Sequence, residues 1–379
     1  MNIAFVSTMD MVPWGGSEEL WSRAATHLAR EHHVSASTVH WPQQPAGILR
    51  LEKAGVDIFH RRQKSRSFLR RVVHKLKNGP ADRAVLGEAA QWLEKLNPDL
   101  VCLSLANCRT GLMWLNLVIR LGLPFVIVVH GVYETLWPED SLAKELRCFY
   151  QAASTCFFVS NRNRELFEMM IGLPLSNAEI VRNPFNVRYE ADPAWPSSEE
   201  NWNLAMVGRL EPLTKGQDIL FRAISQNKWK SRNVRFTCYG SGPHYGECVR
   251  KLAANYAPDL VEFAGHQNDV EAIWASNHAV VMPSRCEGMP LSLVEAMLCG
   301  RPAIVTDVAG HTELVEHGVN GFVAKAPTVE LFDEALEEAW QNRHSWQKMG
   351  RSAREKARSA FGPEPEKDFA ARLLEIAGG

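Results

Sequence analysis

The sequence predicts an α/β protein with two doubly wound parallel sheets. Short apolar runs recur along its 379 residues, and most are apolar throughout, as in strands that are buried on both faces of a parallel sheet. Segments with helical periodicity separate these runs, and this alternation is typical of βα units. The segment 187–202 has no apolar periodicity, and a fresh βα series follows it, which indicates a domain boundary.

The elements follow in order from these patterns. The predicted strands are 3–6, 100–103, 125–129, 156–159, 204–207, 234–238, 261–263, 279–282 and 303–305. The predicted helices between or after them are 18–30, 84–96, 216–224, 291–298 and 364–376. A length of 379 residues agrees with two domains, at roughly 100–200 residues per domain. We expect an N-terminal domain at 1–190 and a C-terminal domain at 191–361, and the pattern alone lets the last helix pack on either.

Composition excludes several classes of protein. With 42 Lys and Arg against 43 Asp and Glu, and 46% hydrophobic residues, the chain is neither disordered nor a general nucleic-acid coat. Its eight cysteines form no Cys-x-x-Cys pair, which favours reduced thiols over a disulfide framework or a zinc site. The N-terminus does not resemble a signal peptide, and every long apolar stretch is interrupted, so we expect a cytoplasmic protein without a membrane span.

Gly15 and Gly16 lie in the loop between the first strand and the first helix. Ligands of doubly wound sheets bind at the carboxyl ends of strands, and paired glycines let the backbone approach a phosphate closely. A Gly-Gly loop is as often an ordinary βα turn. Residues 1–34 lack the G-x-G-x-x-G fingerprint, which argues against a dinucleotide-dependent oxidoreductase.

Arg209 and Lys215 occupy the loop after the first strand of the second domain. A guanidinium and an ammonium six residues apart could neutralise a diphosphate. The alternative is a solvated loop with two unrelated cations.

The segment 283–300 follows a predicted strand and enters a helix, whose free N–H groups favour an anionic or hydroxylated ligand. Its two carboxylates, Glu287 and Glu295, could each accept hydrogen bonds from vicinal hydroxyls. The alternative for Glu295 is a capping box with Ser292, in which the carboxylate serves its own helix. From Glu287, the chain passes the flexible Gly288, Met289 and Pro290 and enters the predicted helix at Leu291.

His130 ends the apolar strand 125–129. At the carboxyl end of a strand, an imidazole could donate a hydrogen bond or transfer a proton. The alternative is a histidine that only fills the core or the surface.

These residues together resemble the GT4 family of retaining, sugar-nucleotide-dependent glycosyltransferases, which have the GT-B fold of two Rossmann-like domains facing a central cleft. The most specific part is Glu287-x7-Glu295 within Pro-Ser-x-x-Glu-Gly-x-Pro-Leu. The resemblance also extends through Gly300-x-Pro302, Thr306-Asp307 and Gly318-x-Asn320-Gly321. It spans nearly the whole chain.

The resemblance implies a role for each matched position in the C-terminal domain. Glu287 would bind hydroxyls of the donor sugar and Glu295 those of the ribose. Arg209 and Lys215 would hold the diphosphate without a metal ion, and the backbone of residues 288–291 would contact sugar or phosphate.

The resemblance also implies roles for the N-terminal domain. Gly15 and Gly16 would approach the diphosphate, and His130 would line the reaction centre. The segment 362–379 would return to the N-terminal domain.

Two departures from the family pattern are Asn-Pro-Phe-Asn at 183–186, where Asn-Gly-Val is frequent, and Ala309 in place of a glycine.

The segment 61–77 carries eight Lys or Arg and no acid, with apolar residues at helical spacing. It predicts a basic amphipathic helix that docks on an anionic membrane surface, attracts an acidic or lipid-diphosphate acceptor, or packs on its own domain.

The leading hypothesis is a retaining glycosyltransferase that moves a hexose-type sugar from a UDP- or GDP-sugar to a glycan, lipid-linked or small-molecule acceptor. It needs no further cofactor, no metal and no nucleic acid. The alternatives are a nucleotide-sugar epimerase or hydrolase on the same fold and a non-catalytic protein that binds sugar nucleotides.

Overall fold

The computed structural model describes residues 1–10, 12–62, 80–196 and 201–379. Its internal contacts divide the chain into two compact units. Unit 1 comprises Met1–Pro184 and Glu364–Gly379, and unit 2 comprises Phe185–Pro363. Each unit holds one sheet, in which all the described strand pairs are parallel.

Unit 1 contains a seven-stranded sheet of order β3-β2-β1-β4-β5-β6-β7. Its strands are β1 (Asn2–Ser7), β2 (His33–Val39), β3 (Asp57–Arg61), β4 (Leu100–Leu105), β5 (Phe125–Val129), β6 (Thr155–Phe158) and β7 (Ala178–Ile180). The helices that connect them are α1 (Gly16–Leu28), α2 (Ala46–Lys53), α3 (Pro80–Leu96), α4 (Leu112–Arg120), α5 (Asp140–Ala152) and α6 (Asn161–Ile171). A 3-10 turn lies at Glu134–Leu136.

Unit 2 contains a six-stranded sheet of order β10-β9-β8-β11-β12-β13. Its strands are β8 (Trp202–Val207), β9 (Val234–Tyr239), β10 (Val261–Gly265), β11 (Ala279–Met282), β12 (Ala303–Thr306) and β13 (Gly321–Ala324). Its helices are α7 (Pro212–Lys215), α8 (Gln217–Ala223), α9 (Asn227–Lys230), α10 (Gly246–Tyr256), α11 (Val270–Ser276), α12 (Leu291–Leu298), α13 (His311–Leu314), α14 (Val329–Gln341) and α15 (Trp346–Ala360). A 3-10 turn precedes α15 at Arg343–Ser345.

The last helix, α16 (Pro365–Gly378), belongs to unit 1 and packs against α1. Phe369 places its ring edge-on to Phe157 of β6, with 5.2 Å between the centroids. Arg372 pairs with Glu179 of β7 at 2.7 Å. The apolar face of α16 therefore completes the core of unit 1.

The boundary between the units falls at residues 184 and 185, six residues before the predicted one. The segment after Pro184 is bound to unit 2, because the Arg188 guanidinium forms an ion pair with Glu271 of α11 at 2.8 Å. Tyr189 adds a hydrogen bond from its hydroxyl to the carbonyl of Arg358 at 3.1 Å.

The predicted helix 216–224 is confirmed as α8, and Gly216 separates it from the short helix α7. This glycine has a φ of +69°, and a Cβ there would collide with the carbonyl oxygen of Pro283. The chain therefore turns at Gly216 between α7 and α8, and the loop after β8 packs against the segment after β11.

The predicted basic helix 61–77 is wrong at its first residue. Arg61 ends β3 and is buried, with its guanidinium hydrogen-bonded to carbonyl oxygens of Ser7 and Ser37. Residues 63–77 lie outside the described residues. In the described part of the chain, no helix combines the length and apolar character that crossing a membrane requires.

Candidate active site

Lys215 and Glu287 form the central ion pair of the candidate site in unit 2. The Lys215 Nζ lies 2.7 Å from Oε1 and 2.9 Å from Oε2 of Glu287. Both side chains are largely buried, with exposed fractions of 19% and 7%. Ser284 donates a further hydrogen bond from its hydroxyl to Oε1 at 2.8 Å. The two groups that the sequence predicts to bind phosphate and sugar therefore bind each other in this structure.

Two features hold the loop after β8 against the loop after β11. Arg285 forms a bidentate ion pair with Asp218 through both terminal nitrogens, at 2.7 and 2.8 Å, and also donates a hydrogen bond to the carbonyl of Pro212 at 2.8 Å. Bidentate pairs of this kind fix geometry as well as adding energy. The short helix that ends at Lys215 is thereby fixed in place, and the ammonium is aimed at Glu287.

Arg209 is the more exposed cation of the predicted pair. Its side chain is 48% exposed, and its guanidinium lies 3.3 Å from Glu211. Its carbonyl oxygen accepts a hydrogen bond from the Gln217 side chain at 2.8 Å. The backbone of Arg209 is therefore anchored, while its exposed side chain can reorient toward an anion.

The capping-box interpretation of Glu295 is wrong. Helix α12 begins at Leu291 with Pro290 as its N-cap, so Ser292 lies inside the first turn. Glu295 is buried, 4% exposed, and its Oε1 accepts hydrogen bonds from the backbone N–H and the side-chain amide of Asn186, both at 2.9 Å. Asn186 thus helps to position the carboxylate of Glu295.

The stretch Gly288, Met289, Pro290 and Leu291 connects Glu287 to α12. Within the described chain, the helix has no side-chain cap at its N-terminus. The carbonyl of Gly288 accepts a hydrogen bond from the N–H of Gly310 at 3.0 Å. A Cβ on Gly310 would approach Met289 and the Gly288 carbonyl within 3 Å, so this close contact requires glycine.

His311 is a residue of this site that the sequence analysis did not single out. It is fully buried, and its Nδ1 lies 2.8 Å from the carbonyl oxygen of Thr306. Its Nε2 is buried without a hydrogen-bond partner among the described residues. Burial lowers the pKa of His311, and the nearby Glu287 carboxylate opposes this effect. The sequence feature that could have identified His311 is its position shortly after the matched Thr306-Asp307 pair.

His130 lies in unit 1, at the end of β5. Its Nε2 and the Ser104 hydroxyl share a hydrogen bond of 3.1 Å, and its buried Nδ1 is without a partner in the described part of the structure. Burial lowers the pKa of His130 from 6.5 to about 4. At neutral pH the imidazole is uncharged, which favours hydrogen bonding over proton release among its two predicted roles.

Gly15 and Gly16 begin α1 in unit 1. Gly15 is the N-cap in an extended conformation, with φ −156° and ψ 176°, and its carbonyl accepts the N–H of Glu18 at 3.0 Å. A Cβ on Gly15 would meet only ordinary contacts of 3.7 Å or longer. Neither strain nor packing in the described residues demands a glycine here, so the missing side chain chiefly leaves the helix N-terminus accessible.

The described residues contain no group of three or more His, Cys, Asp or Glu side chains that could hold a metal ion.

Two family models match the chain. The one described as Glycosyltransferase Family 4 matches residues 14–189, and the one described as Glycosyl transferases group 1 matches residues 202–342. Together they include both glycines and all the predicted site residues of unit 2.

Curated relatives match parts of the chain. One is N-acetyl-alpha-D-glucosaminyl L-malate synthase of Bacillus anthracis, 30% identical over 133 residues, which is 35% of this chain and 35% of that protein. Another is the GDP-mannose-dependent alpha-(1-6)-phosphatidylinositol monomannoside mannosyltransferase of Mycobacterium tuberculosis, 28% identical over 244 residues, 60% of this chain and 63% of that protein. The chain thus matches less than two thirds of the length of these relatives.

Solved structures share the fold over almost the whole chain. HepE of Anabaena in complex with UDP-glucose aligns with a TM-score of 0.76 at 18% identity, over 98% of this chain and 99% of that one. TarM aligns with a TM-score of 0.72 at 14% identity, over 100% and 99%. These fold matches, together with the two parallel sheets of the chain, confirm the predicted fold class.

Proposed function

Because the chain belongs to the group 1 glycosyltransferases of family 4, we propose that it transfers a sugar from a UDP- or GDP-sugar to a hydroxyl group of a glycan, lipid-linked or small-molecule acceptor. The transfer retains the configuration of the anomeric carbon. A GDP-mannose-dependent relative and a fold neighbour that binds UDP-glucose support a nucleoside diphosphate donor. The observation that carries the proposal is the Lys215–Glu287 pair.

A nucleotide sugar supplies new partners for both members of this pair. Its diphosphate offers anionic oxygens to Lys215, and its sugar offers hydroxyl donors to Glu287. A buried charge that loses its partner is costly, so a ligand that satisfies only one member of the pair should bind more weakly than a ligand that satisfies both. This coupling would make the site selective for ligands that carry diphosphate and sugar in one molecule.

The cations of the site support our proposal that the diphosphate binds without a metal ion. Lys215 and Arg209 carry two positive charges, and the N-terminus of α12 adds a partial positive charge. These groups would stabilise the charge that develops on the diphosphate as it leaves. We therefore propose that turnover persists in the presence of EDTA.

The reaction we propose takes place on one face of the donor sugar. The bond between the anomeric carbon and the diphosphate oxygen breaks with its electron pair going to the diphosphate, and the acceptor oxygen forms the new bond from the same side. The acceptor proton passes to an oxygen of the leaving diphosphate. His130, neutral at pH 7, contributes an N–H to the reacting groups and needs no change of charge.

A thermal-shift panel of UDP, GDP, ADP, CMP and dTDP tests the nucleotide site first. Ligand at about 100 times its dissociation constant stabilises a fold by roughly 2.7 kcal/mol, which is enough to detect. The matching nucleotide sugars then test turnover, and NMR of the product identifies its anomer. No shift with any nucleotide would reject the proposal.

The same panel separates the alternatives. A hydrolase would release free sugar at the same rate with and without acceptors, an epimerase would return an isomerised nucleotide sugar, and a sugar-nucleotide sensor would bind without turnover. Lys215→Met should reduce the shift. Lys228→Met removes an equally ion-paired lysine elsewhere in unit 2, whose Nζ lies 2.7 Å from Asp333, and should leave the shift intact.

A further inference from the structure

Ser104 is a polar residue in a strand whose other residues are apolar. Strand β4 has the sequence Leu-Val-Cys-Leu-Ser-Leu, and all six residues are buried. Ser104 pairs in register with Val128 of β5, and the N–H of His130 continues this pairing by donating to the Leu105 carbonyl at 3.1 Å. Side chains two residues apart along a strand point to the same face of the sheet. Ser104 and His130 therefore share one face at the carboxyl edge of the sheet of unit 1.

The Ser104 hydroxyl is the one hydrogen-bond partner of the His130 ring in the part of the chain that the structure describes. Its Oγ lies 3.1 Å from Nε2, and both residues are buried. The other ring nitrogen, Nδ1, is buried without a partner among the described residues. The contact with Ser104 therefore decides which ring nitrogen carries the proton.

The burial of His130 makes this choice of proton position clear. Burial lowers the pKa of the ring from 6.5 to about 4, so at neutral pH the imidazole is uncharged and has a single N–H. A proton on Nδ1 would leave a buried N–H without an acceptor, and such donors are rare in folded proteins. A proton on Nε2 is instead donated to the Ser104 Oγ, because a hydroxyl can accept while its own proton rotates away. The geometry thus favours the tautomer with the proton on Nε2.

We propose that Ser104 is a positioning residue for the transfer reaction, because it holds His130 in the tautomer that presents an N–H, and not a lone pair, at Nε2. This inference rests on the proposed function. During transfer, an oxygen of the reacting groups would share this N–H with the Ser104 Oγ or replace that oxygen. Without Ser104, both ring nitrogens would lack a partner, and a fraction of the molecules would present a lone pair that repels the oxygen.

The first test determines the tautomer directly, without donor or acceptor. Long-range ¹H–¹⁵N NMR spectra of the full chain at neutral pH distinguish a protonated ring nitrogen from a bare one. The spectrum of His130→Gln lacks the His130 signals and so identifies them among those of the 13 histidines. We expect the proton on Nε2 in the wild type and a mixture of both tautomers in Ser104→Ala. The wild-type spectrum alone can reject the inference, so the test does not depend on the folding of a variant.

The second test measures whether the tautomer affects turnover. Ser104→Ala should lower kcat about five- to tenfold, the size expected for the loss of one hydrogen bond. The donor KM should stay unchanged, because His130 acts only on the reacting groups. Ser104→Thr keeps the hydroxyl and should restore both the Nε2–H signal and kcat. A serine with a merely structural role would change the melting temperature and leave the tautomer as it is.

Ser22→Ala is the matched control. Ser22 is a buried serine of α1 in the same unit, and its hydroxyl donates to the Glu19 carbonyl at 3.4 Å. Its removal should change neither the tautomer of His130 nor kcat.

Three results would overturn the inference: the wild type carries the proton on Nδ1, Ser104→Ala keeps the wild-type tautomer, or Ser104→Ala turns over as fast as Ser22→Ala. The nucleotide thermal shift on the same samples keeps the two proposals apart. A normal shift with the proton on Nδ1 rejects the role of Ser104 alone, whereas a wild type that shifts with no nucleotide rejects the proposed function.

Discussion

Lys215 and Glu287 neutralise each other across 72 residues of sequence, with the ammonium 2.7 and 2.9 Å from the two carboxylate oxygens. Each group thus competes with the ligand that the other would bind. This relationship predicts opposite effects of removing the two charges on the binding of a nucleoside diphosphate that carries no sugar.

Glu287→Gln should bind the matching nucleoside diphosphate as tightly as the wild type or more tightly, because Lys215 loses a competing anion. Its kcat/KM with the nucleotide sugar should fall by about 10²–10³-fold, the usual cost of removing one stabilising contact from a transition state. Calorimetry with the nucleoside diphosphate and steady-state kinetics with the donor measure the two quantities.

Lys215→Met should weaken both binding and turnover, since it removes the attraction for the diphosphate and leaves Glu287 buried without its cation. We expect at least a tenfold loss of nucleoside diphosphate affinity. If Glu287→Gln and Lys215→Met weakened that affinity equally, the competition between carboxylate and ligand would be disproved.

Asn186 and Glu295 should determine the preference for ribose. Asn186 donates two hydrogen bonds to Oε1 of Glu295, one of them from its side chain. Asn186→Ala removes the side-chain bond and lets the carboxylate move. The wild type should bind the ribonucleoside diphosphate more tightly than its 2′-deoxy form, and Asn186→Ala should reduce that ratio, measured by competition. An unchanged ratio would show that Glu295 does not bind the ribose.

Ala309 adopts a left-handed backbone conformation, with a φ of +41°. A side chain in this conformation costs roughly 1–2 kcal/mol relative to the usual region. Ala309→Gly should therefore raise the free energy of unfolding by about 1 kcal/mol in denaturant titrations. Ala324→Gly, in the regular strand β13, is the control and should lower it. A destabilised Ala309→Gly would show that the strain is compensated elsewhere.

The apolar strands at the centre of both sheets were predictable because their residues are buried on both faces, as in 125–129 and 279–282. Strand β2 was not predictable, because Ser35, Ser37 and Thr38 give it a polar sequence. It is buried all the same, since the Arg61 guanidinium, 24 residues further on, donates to the carbonyl and hydroxyl of Ser37. A long-range partner overrides the local pattern here.

The residues of the candidate site were easier to predict than their contacts. Lys215 and Glu287 were each assigned to a ligand, yet no pattern within either loop indicates that they pair. A capping box with Glu295 was a possible interpretation, because Ser292-x-x-Glu295 has the spacing of that motif, but the N-cap of the helix is Pro290. Its actual partner, Asn186, lies 109 residues away, where the sequence departs from the family pattern.

Glu18 should make unfolding depend on pH. Burial raises the pKa of its carboxyl from 4.5 to about 7. Between these values the folded state binds more protons than the unfolded state, so stability is highest below pH 4.5 and falls as pH rises to about 7. The loss is about 3 kcal/mol. Glu18→Gln should lack this loss, seen as a growing stability advantage over the wild type from pH 4.5 to 7 in urea titrations.

The comparison of Glu18→Gln with the wild type at each pH controls for the rest of the chain, because every other titrating group is the same in the two proteins. An advantage of Glu18→Gln that stays constant with pH would contradict the raised pKa.

His130 should make the stability of the fold change with pH in the direction opposite to that of Glu18. Its pKa falls from 6.5 to about 4 on burial, so the unfolded state binds more protons between these values. The contribution of the neutral imidazole to stability is therefore complete above pH 6.5 and is lost as pH falls toward 4, by about 3 kcal/mol. His130→Gln cannot gain this proton, so its stability relative to the wild type should rise as the solution is acidified from pH 6.5. The contribution of Glu18 to stability changes with pH in the opposite direction over nearly the same range, so only the difference in stability between His130→Gln and the wild type isolates His130. If this difference did not change with pH, the imidazole would be protonated inside the fold.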